Sequence, residues 1–262
     1  MSKNLSMLKV TPIALLLMAS FAEAKTINKS FDVKQGGELV LEADVGSINI
    51  NTHNNNSVLV NIEIEGKNED KVNVDFTNTN NKLSIISEYK RSSMGFFGGS
   101  NGVKVEYTLT LPEQFNVELD TSGGSISIED LIGNVDAHTS GGSITLEKIE
   151  GTVDINTSGG SITLDDIFGP IDAHTSGGSI DVTLPKSPQS DSDIRTSGGS
   201  ITAYLAKNIA VDVVAKTSGG RVKSEFNVDG EETKQSIKGQ INGGGPKLIL
   251  KTSGGSVRLK EI

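Results

Sequence analysis

The chain has 262 residues, no cysteine, no tryptophan and a formal net charge of -9. The missing cysteines exclude disulfides, thiolate metal sites and lipid attachment through an N-terminal Cys, and the acidic balance argues against nucleic acid, whose phosphates require clustered Lys and Arg. With aromatic residues at 4%, the core has to be built from Ile, Val and Leu, the residues that suit strands.

Residues 1–24 read as a secretory signal peptide. Lys3 and Lys9 give a basic start, residues 10–21 are almost wholly apolar, and Ala22-Glu23-Ala24 supplies a small-x-small cleavage pattern. The apolar run is shorter than the roughly 20 residues needed to span a bilayer, and no later stretch approaches that length. The expectation is an exported, soluble chain that begins at Lys25, has no transmembrane segment, and resides in the periplasm or at the cell surface. Removing Lys3, Lys9 and Glu23 takes the net charge from -9 to -10.

Residues 25–116 alternate like strands, as in Val58-Leu59-Val60-Asn61-Ile62-Glu63-Ile64, but without a clean repeat. Ala43-Asp44-Val45-Gly46-Ser47-Ile48 resembles a worn copy of a motif that recurs later. This region therefore reads as irregular β-rich coils, or alternatively as a small sandwich cap. Within it, residues 91–102 place Met94, Phe96 and Phe97 among Gly and Ser. They form either an exposed aromatic tip or a plug folded onto the end of the core. The plug is preferred, because exposed apolar clusters are uncommon.

From 117 to 262 the chain is organised by Thr-Ser-Gly-Gly, which starts at Thr121, Thr139, Thr157, Thr175, Thr196, Thr217 and Thr252. The intervals are 18, 18, 18, 21, 21 and 35 residues. A fixed period of this size is the mark of a stacked repeat. Before each motif, Val117, Val135, Val153 and Ile171 alternate with outward Glu118, Asp136, Asp154 and Asp172; after it, Ile126, Ile144, Ile162 and Ile180 face inward. One coil is thus two short strands and two corners. An 18-residue unit cannot bury its own apolar face, so the prediction is an all-β parallel β-solenoid with two sheets, roughly 4.8 Å per coil and right-handed winding. Gly-Gly is expected at the corner to supply positive φ. Gly133, Gly151 and Gly169 are expected to turn the chain at the second corner, with Leu131, Ile149 and Ile167 filling it.

All length variation falls at that second corner: around residues 185–190, around 206–208, and in an excursion from about 227 to 246. Such an edge either carries a binding surface or merely tolerates extra length. The last motif is followed by one strand, which predicts an open edge at Ile262 guarded by Lys247, Lys251, Arg258 and Lys260, or covered by the excursion. Charge is lopsided: residues 121–195 hold 3 basic and 12 acidic side chains, residues 217–262 hold 8 and 5.

The best chemical candidate is the outer column of Asp136 and His138, Asp154 and Asn156, and Asp172 and His174. Stacking separates the two His by about 10 Å, too far for one zinc ion without drawing both inward, and the Asp ladder lacks the turn-borne aspartates of calcium-binding rolls. Serines abound, but the only bases of the right kind are His53, His138 and His174, and no nucleophile-base pair is legible. No catalytic, cofactor-binding or metal residue is assigned and no cofactor is expected.

The repeated Thr-Ser-Gly-Gly-Ser-Ile, the Gly-x-Val-Asp-like second turns and Leu109-Thr110-Leu111-Pro112 resemble the bacterial adhesin-labelled family of β-strand-repeat proteins of unknown function. The likeness covers roughly residues 30–262. It implies a β-solenoid and an envelope role, and brings no catalytic residues. The reading is a non-enzymatic, exported, adhesin-like binding or scaffold module whose partner is a cell-envelope glycan or a surface protein. The alternatives are a polysaccharide-active β-helix enzyme and a calcium-dependent surface protein.

Overall fold

A computed structural model describes residues 24–90 and 102–262. The leader up to residue 23 and the aromatic loop at 91–101 lie outside the described residues.

The N-terminal part contains β1 (Lys25–Asp32), β2 (Gly37–Ala43), β3 (Ser47–His53), β4 (Ser57–Gly66), a 3-10 turn (Glu69–Lys71), β5 (Val72–Thr79), β6 (Lys82–Tyr89) and β7 (Val103–Pro112). The repeat follows as pairs: β8 (Phe115–Thr121) and β9 (Ile126–Ile132), β10 (Val135–Thr139) and β11 (Ile144–Glu150), β12 (Val153–Thr157) and β13 (Ile162–Ile167). The next pairs are β14 (Ile171–Thr175) and β15 (Ile180–Leu184), β16 (Ser192–Thr196) and β17 (Ile201–Leu205), and β18 (Val211–Thr217) and β19 (Val222–Ser224). A hairpin of β20 (Asp229–Glu232) and β21 (Ser236–Ile241) precedes the last pair, β22 (Lys247–Thr252) and β23 (Val257–Glu261).

The strands form two long sheets. One has the order β1-β4-β7-β3-β9-β11-β13-β15-β17-β23-β19, and the other β20-β21-β18-β22-β16-β14-β12-β10-β8-β2-β6-β5. From β8 to β17 every pairing is parallel and in register, so that Thr121, Thr139 and Thr157 stand beside one another, as do Ile126, Ile144 and Ile162. Alternation puts Val135, Ala137, Ile144 and Leu146 inside at no more than 1% exposure, and their counterparts above and below continue a single apolar core. This is the two-strand-per-coil parallel solenoid that the period predicts.

The N-terminal strands continue both sheets of the stack and the same apolar core. Strands β2 and β3 stack in parallel on β8 and β9, and β6 and β7 stack in parallel on β2 and β3. Strands β4 and β1 then continue one sheet in antiparallel fashion, and β5 does so in the other. Residues 91–101 connect β6 to β7, the position filled in later coils by Thr-Ser-Gly-Gly.

At the other end the structure corrects the expected order. Strand β22 does not form the end of the stack; it lies between β16 and β18, pairing Thr252 with Thr196 on one side and with Thr217 on the other. Strand β23 is likewise enclosed by β17 and β19. The 35-residue interval makes this possible, because the chain leaves β19, forms the β20-β21 hairpin antiparallel to β18, and returns into the gap. Lys247, Lys251, Arg258 and Lys260 thus sit on interior strands instead of guarding an edge. The edges are the three-residue β19 and the exposed acidic β20, both forms that discourage further pairing.

Candidate functional site

The corner motif explains the rigidity of the face beside it. Each motif Thr is buried and its hydroxyl donates to the carbonyl of the second Gly one coil away: Thr139 to Gly124 at 2.8 Å, Thr157 to Gly142 at 2.7 Å, Thr252 to Gly199 at 2.7 Å and Thr217 to Gly255 at 2.6 Å. The same Oγ1 accepts from the second Gly of its own motif, as from Gly160 N to Thr157 at 3.3 Å. The Ser after the Gly pair accepts from the backbone of the next coil, giving a ladder that includes Ser143 N to Ser125 Oγ and Ser161 N to Ser143 Oγ, both 3.2 Å.

Positive φ is not the reason for the Gly pair. None of the fourteen glycines in the seven Thr-Ser-Gly-Gly motifs has it; the residue that does is Gly46 of the worn copy, at φ 124. The second Gly is needed because coils approach closely there. A Cβ on Gly142, Gly160 or Gly199 would lie 2.0 to 2.1 Å from the carbonyl oxygen of the neighbouring coil. The first Gly is less confined: a Cβ on Gly159 would find its nearest atom at 3.5 Å. At the second corner, Gly133 and Gly169 are also close-approach positions, and left-handed backbone is carried there by Asp130, Lys148 and Asp166 as well as by Gly151. Leu131, Ile149 and Ile167 fill this corner, fully buried.

With the backbone fixed, the outer face of the twelve-stranded sheet becomes a set of straight columns. The residue before each motif Thr, followed along the stack, runs Glu42, Asp120, His138, Asn156, His174, Arg195, Lys251 and Lys216. The column is sorted by charge, acidic at one end and basic at the other. Two residues earlier runs a second column: Val40, Glu118, Asp136, Asp154, Asp172, Asp193, Ile249 and Val214.

The columns pair along each strand. His138 Nε2 lies 3.2 Å from Asp136 Oδ1, His174 Nε2 lies 3.0 Å from Asp172 Oδ1, and Arg195 pairs with Asp193. The His174 contact is a close ion-pair approach without hydrogen-bond alignment, and Nε2 is shielded from solvent. Such exposed pairs contribute at most about 1 kcal/mol each. In the rungs of Lys251 and Lys216 the carboxylate is replaced by Ile249 and Val214, and neither Lys has a carboxylate within 4 Å among the described residues.

Two shallow depressions follow from this sorting. One, of about 400 Å³, is lined by Glu42, Asp44, Glu118, Asp120, Asp136 and His138, among others. The other, of about 500 Å³, is lined by His174, Arg195, Lys251 and Lys216 with the hydroxyl-bearing Ser176, Ser197, Ser253 and Ser218. Sequential stacking of the coils would also place Arg195, Lys216 and Lys251 side by side; the insertion of β22 changes their order, setting Lys251 between the other two.

His53 lies on the other sheet, where Nε2 meets the Ser57 carbonyl at 2.7 Å, so the fold does not bring the three His together. Among the described residues no group of three or more His, Asp or Glu is placed to hold a metal ion. A buried polar pair escaped sequence reasoning: Tyr107 Oη donates to Ser87 Oγ at 2.6 Å inside the irregular coils, and burial pushes the phenol up to about 12.

Among solved structures, a candidate adhesin from Bacteroides fragilis aligns with 92% of this chain and 99% of its own, at 18% identity and a TM-score of 0.46. A candidate cell adhesion protein from Clostridium sporogenes covers 91% and 100%, at 18% identity and 0.37. A candidate lipid binding protein from Parabacteroides distasonis covers 90% and 96%, at 13% identity and 0.42. No curated protein matches the chain. The family model described as Toastrack DUF4097 matches twice, over residues 37–167 and 113–260. The two matches overlap in the regular coils and together span both the irregular and the repetitive parts, so the chain belongs to the Toastrack DUF4097 family.

Proposed function

We propose that the protein is an exported, non-enzymatic module of the cell envelope that binds through the outer face of its twelve-stranded sheet. The observation that carries this reading is the charge-sorted column from Glu42 to Lys216, held on a backbone locked by the Thr and Ser ladders. Its depressions are shallow and open, and they present rows of like groups in place of the converging acid, base and nucleophile that catalysis requires. The leader-like residues 1–24 support export, and among the described residues no helix is long and apolar enough to cross a membrane.

The test is a binding array of envelope polymers and surface proteins probed with the chain from Lys25, with and without calcium, alongside fractionation of cells expressing the full sequence. Saturable binding without turnover, and recovery of a processed chain outside the cytoplasm, are the expected results. Hydrolysis or elimination of a bound polysaccharide would replace this reading with the enzymatic one. Binding abolished by chelation would move the function to the Asp136-Asp154-Asp172 ladder.

A further inference from the structure

We propose that Arg195, Lys251 and Lys216 form a docking site for a linear anionic glycan carrying carboxylate or phosphate groups. The proposal rests on the binding-module reading and names the ligand class of its basic end. The three residues occupy consecutive rungs in register, roughly 4.8 Å apart along the stack. At physiological salt the screening length is about 8 Å, so the fields of Lys251 and Lys216 overlap, and Arg195, paired with Asp193, adds a planar set of donors beside them.

The column's own pairing rule supports an external partner. His138, His174 and Arg195 each have a carboxylate two residues earlier on the same strand. Lys251 and Lys216 have Ile249 and Val214 at that position. Like charges side by side in a sheet oppose its formation, and here they remain without an internal carboxylate. Lys251 is also held between two neighbouring strands instead of on a fraying edge, which fixes the middle of the trio.

The surroundings favour a glycan over a lipid surface. Beside the cations runs the column Ser176, Ser197, Ser253 and Ser218, on the same wall of the depression, whose hydroxyls make no bond within the described residues and suit the hydroxyls of a sugar chain. The large exposed apolar residues, Leu59, Ile86, Ile132 and Ile262, all lie outside the depression, leaving no apolar cluster there to enter a bilayer. The footprint is bounded, since a polyanion running further along the column reaches Asp120 and Glu42. The rungs from His174 to Lys216 span roughly 15 Å, so short oligomers should fill the site.

The experiment measures binding of the chain from Lys25 to polygalacturonate, dextran phosphate, neutral dextran and vesicles of anionic phospholipid. It compares the native sequence with Arg195→Gln/Lys216→Gln/Lys251→Gln and with Glu63→Gln/Glu65→Gln on the exposed face of β4 in the other sheet, with thermal melting to verify the fold of each. The expected result is binding of one or both anionic glycans but not of neutral dextran. The triple variant should weaken it at least tenfold, Lys251→Gln alone should weaken it severalfold, and the β4 variant should leave it unchanged. Affinity should stop rising once oligomers exceed the four-rung footprint. Preference for polygalacturonate or for dextran phosphate identifies the anionic group. Glycan binding that the triple variant retains would overturn this site while leaving the binding module standing. Binding to vesicles alone, or to none of the probes, would overturn the glycan assignment, and the broader array described above then decides the fate of the module itself.

Discussion

Both corners of each coil carry the chain from one sheet to the other, yet one keeps a constant length through all seven motifs and the other absorbs every insertion in the repeat. The difference lies in what touches what. At the Thr-Ser-Gly-Gly corner, backbone meets backbone: the second Gly of each motif lies against the carbonyl of the adjoining coil, and Thr and Ser hydroxyls bridge the remaining gap. At the opposite corner backbone also comes close in the first coils, as at Gly133 and Gly169, but no Thr and Ser ladder joins the coils there; Leu131 and Ile149 fill the interior, and after the fourth motif the chain bulges outward. Invariance therefore marks the corner where close backbone approach and the hydroxyl ladders recur along the stack, and variation marks the corner where they do not.

The comparison breaks first at the second Gly. Gly160→Ala places a Cβ 2.0 Å from Gly142 O, which the fixed coil spacing does not relieve. A loss of at least about 4 kcal/mol, or failure to fold, is expected from denaturant titration, a size reserved for strained or overpacked sites. Gly159→Ala, one residue earlier with its nearest atom at 3.5 Å, should cost less than about 1 kcal/mol. Equal effects of the two would refute the interlocking account.

Next comes Thr157→Val, which keeps the shape but removes the donor to Gly142 O and the acceptor for Gly160 N. Leaving both buried groups unsatisfied should cost about 1 to 3 kcal/mol, read from the shift in unfolding midpoint.

Tyr107→Phe probes the irregular coils, where a buried phenol takes the structural place of the hydroxyl ladder. At neutral pH the loss of its bond to Ser87 should cost about 1 kcal/mol. The phenol has its folded value raised from 10.0 to about 12, so its contribution is complete below pH 10 and is lost as pH rises through 12, because the unfolded chain releases the proton first. The variant should therefore lose stability less steeply than the native protein between pH 10 and 12 in thermal melts. A parallel alkaline decline would show that Tyr107 does not control this range.

The smallest effect is expected at the variable corner. Three Gly or Ser residues inserted between the exposed Lys207 and Asn208 should cost under about 1 kcal/mol, since loop-closure entropy grows slowly with length. The same insert between Ser158 and Gly159 should be far more damaging. Comparable losses would remove the distinction between the corners.

Much of this was legible because period and alternation act locally. The inward columns headed by Val117 and Ile126 follow from alternation alone, and the solenoid follows from the inability of 18 residues to form a core. The role of the Gly pair was misjudged, because sequence shows that a residue must be small but not whether φ or a neighbouring chain demands it. The order of the last coils was missed for a related reason: repeats are counted along the chain, whereas stacking is decided by which edges meet. One clue was present. Arg221 stands where the other motifs have the Ser that accepts a bond from the next coil, and only the outermost coil can do without that acceptor. The enclosure of Lys251 between Arg195 and Lys216 depended on this order.

The enclosed position of β22 and β23 also governs how the molecule can be assembled in time. A solenoid made from the N-terminus can add each coil to the last as it emerges, but here that process halts after β17. The strands made next, β18 and β19, can join the stack only when residues 247–261 have been produced, since β22 and β23 lie between them and β16 and β17, so a long terminal stretch must wait and then close together. The stack is completed by a latch instead of by a final rung, and the unlatched protein would present two unfilled edges at its basic end.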